Sequence, residues 1–498
     1  MTSTTNPVDW FLPSEPFTSG NTVTPLIDGE SYFRELVTTF TGNSRFSNIL
    51  ICGWRLKKET VVENASGLTF ETLLTTNVKA AGDFAKVKSM LWYVPGTIGD
   101  FGAGHGVDNA GFIEFVQANG GQGILDNRLP IGRFASHHQK YIVIEGATTQ
   151  AAFIGGIDVA PDRMDSQSHD SSIPRMPEST KAWHDVQLKI EGPAVSGAMR
   201  LFQERWNDPR KPHGFPTAGG KVPDALEDSD IPEIAATTGS HSVQLLSSYA
   251  CHSRDGDGEI GPFPFAPNGR YVYQEALIRA IDNAEYYIYV EDQYCWPSDV
   301  VAALGAAVER GVVVILVLAK EFEPGGLVPY HNFLRSRAIE SLKGRDETKN
   351  RVFVYRLERV TIDPATQQNE QIFVHAKTMI IDDRYLAIGS GNLNRRSMKT
   401  DSEIGVAVVD AESVRSKIRG NQRQVGRLIL QYRKALWTEH LGHSAADDPF
   451  DADGFPAGFP KDDSLVGQLR RDEVDEPRFC NPSIIPFGFM NPNTTCSG

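Results

Sequence analysis

Twice in this chain a histidine and a lysine, one residue apart, open a short apolar strand. A second strand follows and ends in small residues. The first copy runs from His138 in "HQKYIVIEG" through "QAAFIGGID" to Asp158. The second runs from His375 in "HAKTMIIDD" through "LAIGSGN" to Asn392. A lone His-x-Lys arises easily by chance, whereas two copies in the same strand context require each half of the chain to build the same unit. The surroundings agree. In the first half "YFRELVTTFTG" and "GFIEFVQANG" have helical spacing, and "NILICGW" and "SMLWYV" read as buried strands. In the second half "YQEALIRAIDNA" and "DVVAALGAAVERG" are helical, and "YYIYVEDQY", "VVVILVLA" and "RVFVYRL" are strands. Continuous apolar strands separated by helices predict mostly parallel mixed sheets flanked by helices. The expected fold class is therefore α/β, with two pseudo-symmetric lobes and the active site between them.

The expected divisions are an N-terminal lobe over 1–225, a C-terminal lobe over 226–445 and an irregular tail over 446–498 packed on the body. The stretch 207–240 is rich in Pro, Gly and small polar residues and reads as the crossover between lobes. The tail loses periodicity and becomes rich in Pro and Gly.

Residues two apart on a strand share a face, so each histidine projects together with its lysine. Pairing the lobes about a pseudo-twofold axis would bring both pairs to one cleft. There Lys140, Lys377 and the amide of Asn392 would hold the non-bridging oxygens of a phosphate. Two imidazoles on opposite sides suit an in-line displacement, one as nucleophile and one as acid to the leaving oxygen. The lysines neutralise the charge, so this chemistry calls for no metal and no cofactor.

At these residues the chain resembles the phospholipase D superfamily, whose signature is a duplicated His-x-Lys-x4-Asp motif. "ILDNRLPIGRFASHHQK", "FIGGIDVAPDRMD", "WHDVQLKIEGPAV", "IYVEDQY", "IGSGNLNRRSM", "DSEIGVAV" and "LWTEHLG" are similar to its eukaryotic-type members. The resemblance implies that His138 is the nucleophile and forms a phosphohistidine. His375 would protonate the leaving alcohol and then activate water or an acceptor alcohol. Lys140, Lys377, Asn392 and Asp158 would stand at the phosphate, and Asp165 and Glu403 would orient the histidines through their second nitrogens. Two departures stand out. Glu145 replaces the aspartate of the first motif, which Asp382 retains in the second, and Asp158 stands opposite Asn392. Glu145 is odd in parity relative to His138 and Lys140, so it points away from the reaction and ties down neighbouring backbone.

The implied reaction is hydrolysis of glycerophospholipids to phosphatidic acid and a head-group alcohol, with transfer when an alcohol outcompetes water. Three rivals are weighed beside it: a cardiolipin-synthase-like phosphatidyltransferase, a nuclease, and a binding protein that has lost catalysis. A formal charge of −14 and a pI near 5.4 disfavour nucleic acid as a partner. The expected partner is a phospholipid surface touched peripherally by a monomer. No basic-then-apolar leader opens the sequence, and the longest aliphatic run, Val312 to Ala319, is too short to span a membrane. A cytoplasmic protein, or one exported without a Sec signal, is expected. Of the five cysteines only Cys480 and Cys496 look placed to pair.

Plainer roles fit several other residues. His137 faces away from the reaction and reads as structural, and His184 fits a supporting role as well as substrate contact. Gln293 reads as a strand-end hydrogen bond, and "DGDGE" as an acidic turn. The aromatic, Pro-rich loops read as packing against the body.

Overall fold

The computed structural model describes residues 6–93, 103–129, 135–169, 182–209, 223–255, 258–320, 328–360, 369–462 and 464–471. In the N-terminal half the principal elements are β1 (Thr18–Ile27), α1 (Asp28–Thr41), β2 (Phe46–Gly53), β3 (Val87–Trp92), α2 (Ala103–Ala118) and β4 (Gln122–Asp126). They continue with β5 (Tyr141–Gly146), β6 (Gln150–Gly155), β7 (Ala182–His184), β8 (Val186–Glu191) and α3 (Ala194–Trp206). The C-terminal half brings β9 (His241–Tyr249), α4 (Val272–Asp282), β10 (Tyr287–Asp292), α5 (Ser298–Glu309), β11 (Val313–Leu318) and β12 (Val352–Val360). It ends with β13 (Asn369–Val374), β14 (Thr378–Ile381), β15 (Tyr385–Gly389), β16 (Glu403–Asp410), α6 (Arg427–Leu441) and a last short strand, β17 (Leu469–Arg471).

The two halves repeat one topology. In the first, strands run β4-β3-β2-β5-β6-β8-β1, parallel from β4 to β2 and antiparallel from β2 to β1. In the second they run β12-β11-β10-β14-β15-β16-β9 with the same directions. β1 pairs with β9 antiparallel, so the lobes share one continuous sheet. The parallel strands carry the apolar runs: all six residues of β10 and all six of β11 are buried. Helices cover both faces through one apolar stripe each. On α1 this stripe is Tyr32, Phe33, Leu36 and Phe40, each at most 1% exposed, and each such burial contributes about 1.5–3 kcal/mol.

The tail departs from expectation in one respect. It is packed on the body, with Phe459 against Trp437 and Tyr355, but its described end is regular. β17 adds antiparallel to β12, pairing Arg471 with Tyr355, because β12 would otherwise leave an open sheet edge there. In the "GPFPFAP" loop, Phe263 is buried against Tyr249 and Phe265. Cys52 and Cys295 are free and buried, while Cys251 is disulfide-bonded, which corrects the expectation that only Cys480 and Cys496 are placed to pair. Cys480 and Cys496 lie outside the described residues.

Candidate active site

Both His-x-Lys segments are held by backbone from the opposite lobe. His138 N donates to Ser402 O at 2.9 Å, just before β16. His375 N donates to His184 O at 2.8 Å, where β13 runs parallel to β7 with Val374 opposite His184. In each case the next residue along the supporting strand is an acid, and that acid holds the histidine. Glu403 lies 3.0 and 3.1 Å from His138 Nδ1. Asp185 Oδ2 lies 2.6 Å from His375 Nδ1. Each imidazole thus has Nδ1 fixed by a carboxylate of the other lobe, which leaves Nε2 for chemistry.

This corrects one expected assignment. Asp165 does not reach a motif histidine: its Oδ2 accepts from Trp183 N at 2.7 Å and lies 3.2 Å from His169 Nδ1. Asp165 follows the 3-10 turn Pro161–Arg163, whereas Asp185 immediately precedes β8 and Glu403 is the first residue of β16. The signal was available in "WHDVQLKI" set beside "DSEIGVAV", where each acid stands at the mouth of an apolar strand. The turns show how the two acids are accommodated. Ser390 Oγ donates to Glu403 Oε2 at 2.6 Å. The corresponding residue of the first copy is Gly156, where a Cβ would stand 2.1 Å from Asp185 Oδ1. Glycine there is the space that Asp185 occupies.

The lysines are placed in parallel fashion. Lys140 Nζ donates to His138 O at 3.3 Å, and Lys377 Nζ donates to His375 O. Lys377 also reaches Gln293 Oε1 at 3.4 Å, so Gln293 supports the lysine. Lys140 pairs with Asp158 Oδ2 at 3.0 Å and lies 5.5 Å from the centre of the Trp54 ring. Asp158 Oδ1 accepts from Trp54 N at 2.9 Å and Arg55 N at 3.2 Å. This corrects the expectation that Asp158 stands at the phosphate as a ligand. A carboxylate turned onto Lys140 and two amides positions the lysine and would repel a phosphate oxygen. Its counterpart Asn392 is buried, and its Oδ1 has no hydrogen-bond partner among the described residues.

Electrostatics join the four groups. Burial holds His138 well below the usual imidazole range, and the charges of Lys140 and Lys377 lower it further. His375 is lowered in the same way by burial, then by Lys377, Arg163 and Lys140. Lys377 falls to about 8, chiefly through burial. Glu403 is pushed up to about 7 by burial despite its hydrogen bonds. Each histidine therefore feels both lysines, one from each lobe. Burial and the lysine charges thus favour the neutral form of both imidazoles, and a bound anion would oppose the lysine contribution.

The motif acids sit outside this centre. Asp382 is buried and accepts from the N–H groups of Glu285, Tyr286 and Tyr287 at 2.7, 2.9 and 2.7 Å, capping the start of β10. Glu145, expected to tie down neighbouring backbone, instead accepts from the side chain of Asn48, Nδ2 at 2.6 Å, its one hydrogen bond among the described residues. In the first lobe Asp83 takes over the capping of the equivalent strand, accepting from Phe46 N at 2.8 Å while paired with Arg45. A longer acid at 145 is tolerated because the capping has moved elsewhere. His137 is structural, with Nδ1 at 2.6 Å from Ser402 Oγ and Nε2 at 3.1 Å from Asp126.

A family profile described as Phospholipase D matches residues 47–301, half of the chain. The chain belongs to the phospholipase D superfamily. A second profile, described as the phospholipase D-like domain of cardiolipin synthase, matches residues 277–419. Phospholipase D gamma 1 of Arabidopsis thaliana is 23% identical over 420 residues, covering 63% of this chain and 48% of its own length. Phospholipase D A of Dictyostelium discoideum is 27% identical over 372 residues, covering 62% of this chain and 27% of its own. The match thus spans less than half of either relative. Among solved structures, phosphatidylserine synthase of Haemophilus influenzae superposes with a TM-score of 0.51 at 11% identity. That match covers 80% of this chain and 85% of the synthase and establishes the shared fold. No helix among the described residues is long and apolar enough to cross a membrane.

Proposed function

We propose that this protein is a phosphodiesterase of the phospholipase D type, cleaving glycerophospholipids to phosphatidic acid and a head-group alcohol. One observation carries the reading: a buried His375 and a partly exposed His138, each held at Nδ1 by a carboxylate from the opposite lobe, share the field of two lysines. Lys140, Lys377 and the Asn392 amide bind the phosphate oxygens. His138 Nε2 attacks phosphorus in line, and the bond to the head-group oxygen breaks as His375 delivers a proton to it. His375 then takes a proton from water, whose oxygen attacks the phosphohistidine and frees His138. Bound phosphate offsets the lysine charges, which is what allows His375 to carry a proton at the start of the cycle. An acceptor alcohol in place of water gives transphosphatidylation through the same steps. The substrate is a lipid at a membrane surface, approached peripherally by a monomer, with no cofactor taking part in the transfer.

The test is incubation with phosphatidylcholine vesicles containing ethanol. Choline release with phosphatidylethanol formation, abolished in His138→Ala and His375→Ala, supports the proposal. Intact lipid alongside cleavage of DNA would replace it with a nuclease reading. No cleavage of any diester would leave a binding protein.

A further inference from the structure

Behind the Asp185–His375 pair lies a second, fully buried polar cluster that the reaction does not use. Asp28 at the start of α1, His169 and His184 belong to the N-terminal lobe, and Glu439 comes from α6 of the C-terminal lobe. All four are buried, and one donor atom from each lies within 4.8 Å of the others. His184 Nδ1 is 3.1 Å from Asp28 Oδ1 and 2.9 Å from Glu439 Oε1. His169 Nε2 is 3.2 Å from Glu439 Oε1 and 3.8 Å from Asp28 Oδ2. Zinc bound tetrahedrally to nitrogen and oxygen at about 2.0–2.1 Å has ligands separated by roughly 3.3–3.4 Å. The observed spacings bracket that value.

Three further observations point to a ligand. Asp28 Oδ2 and Glu439 Oε2 are buried without a hydrogen-bond partner among the described residues, and buried polar atoms rarely remain so. Each inward-facing histidine gives its other nitrogen to a carboxylate outside the cluster. His184 Nε2 lies 3.1 Å from Glu291 Oε2, and His169 Nδ1 lies 3.2 Å from Asp165 Oδ2. Metal-bound imidazoles are normally held in this way, the second nitrogen on a carboxylate and the first turned to the ion. Glu291 is itself pinned by Tyr289 Oη at 2.6 Å and His440 Nε2 at 2.8 Å. Finally, Asp28 adopts φ 62°, a left-handed conformation that a non-glycine residue keeps only where its surroundings impose it.

We propose that Asp28, His169, His184 and Glu439 bind one divalent transition metal ion of the zinc type, which staples the two lobes together. Two carboxylates and two neutral imidazoles balance the ion's charge, and a closed, buried set of four protein ligands marks a structural site with no open position for substrate. The ion sits one residue from the catalytic machinery. His184 bears the carbonyl that receives His375 N, and Asp185 follows it. Asp165, which does not hold a motif histidine, then has a role: it holds a metal ligand. This inference is independent of which diester the active site cleaves.

The test is elemental analysis of the full-length protein purified from zinc-supplemented cells, with Asp28→Asn and Glu439→Gln alongside. The expected result is about one zinc per chain in the wild type and none in the variants. Prolonged chelation of the wild type should lower its melting temperature, with zinc restoring it. Cobalt reconstitution should give the visible absorption of a tetrahedral nitrogen and oxygen site. A wild type that retains no metal would establish a proton-bridged cluster of imidazoliums and overturn the proposal. Metal retained unchanged in folded variants would place it elsewhere and overturn it equally. If the variants fail to fold, the chelation and cobalt measurements on the wild type decide.

Discussion

Replacing Asp185 by asparagine separates the two acids that compete for the role of orienting His375. The carboxylate lies 2.6 Å from Nδ1 and is buried, so it stabilises the imidazolium that must form before the leaving oxygen is protonated. A hydrogen bond to a charged group contributes about 1.5–3 kcal/mol. At about 1.36 kcal/mol per decade, removing the charge lowers kcat roughly 10- to 150-fold. The Val186 N–H bond at 2.9 Å can still be accepted by the amide oxygen, so the backbone should hold and KM should change little. Asp165→Asn is the control. It leaves His375 untouched, so kcat should stay within about threefold while the melting temperature falls through the lost His169 contact. The assay is choline release from phosphatidylcholine vesicles, with melting recorded for both variants. If Asp165→Asn suppresses kcat while Asp185→Asn does not, the assignment of the acids is wrong.

Gly156→Ala should fold yet lose activity comparably, because the new methyl stands where Asp185 Oδ1 lies; undiminished kcat would refute the space-making role of that glycine. The two motif acids should differ in denaturant unfolding. Asp382→Ala removes the acceptor of three N–H groups, that of Tyr287 buried, and should cost about 1–3 kcal/mol, whereas Glu145→Gln should cost under about 1 kcal/mol; equal losses would refute the distinction. Sulfate binding should take up protons, since an anion offsets the lysine charges that hold His138 and His375 below the usual imidazole range. Its affinity should therefore fall as pH rises, and calorimetry in buffers of different ionisation enthalpy would contradict this by showing proton release. Glu403, pushed up to about 7 in the folded state by burial, binds its proton more tightly folded than unfolded. Stability should accordingly decline as pH rises from the ordinary carboxylate range through about 7, and Glu403→Gln should flatten that slope.

The fold and the reactive groups were legible because they rest on short-range rules. The two His-x-Lys copies sit at strand mouths, where parity fixes which side chains share a face, and the apolar runs after them are continuous because the sheet is covered on both sides. Glu403 was legible only through the resemblance, which places an acid downstream of each motif. Asp185 was not recognised, because the spacing from lysine to acid differs between the copies and only their register against the sheet makes them equivalent. Asp158 was misread because type and position alone do not tell a ligand from a counter-ion. That distinction depends on Trp54, Arg55 and Lys140, which meet it only in three dimensions. The buried cluster around His184 was hidden for the strongest reason: its members lie at 28, 169, 184 and 439, with no local spacing among them.

Each half carries a histidine whose acid belongs to the other half. The arrangement is a dimer's interface written into one polypeptide, and it sets how the chain can change. A lobe copied or exchanged alone would arrive with a reactive imidazole and no acid for it, and would leave its former partner in the same state. Variation at Glu403 is therefore answered at His138, and variation at Asp185 at His375. The two halves are free to diverge in loops, tail and head-group contacts, but at these positions they must be inherited as one unit.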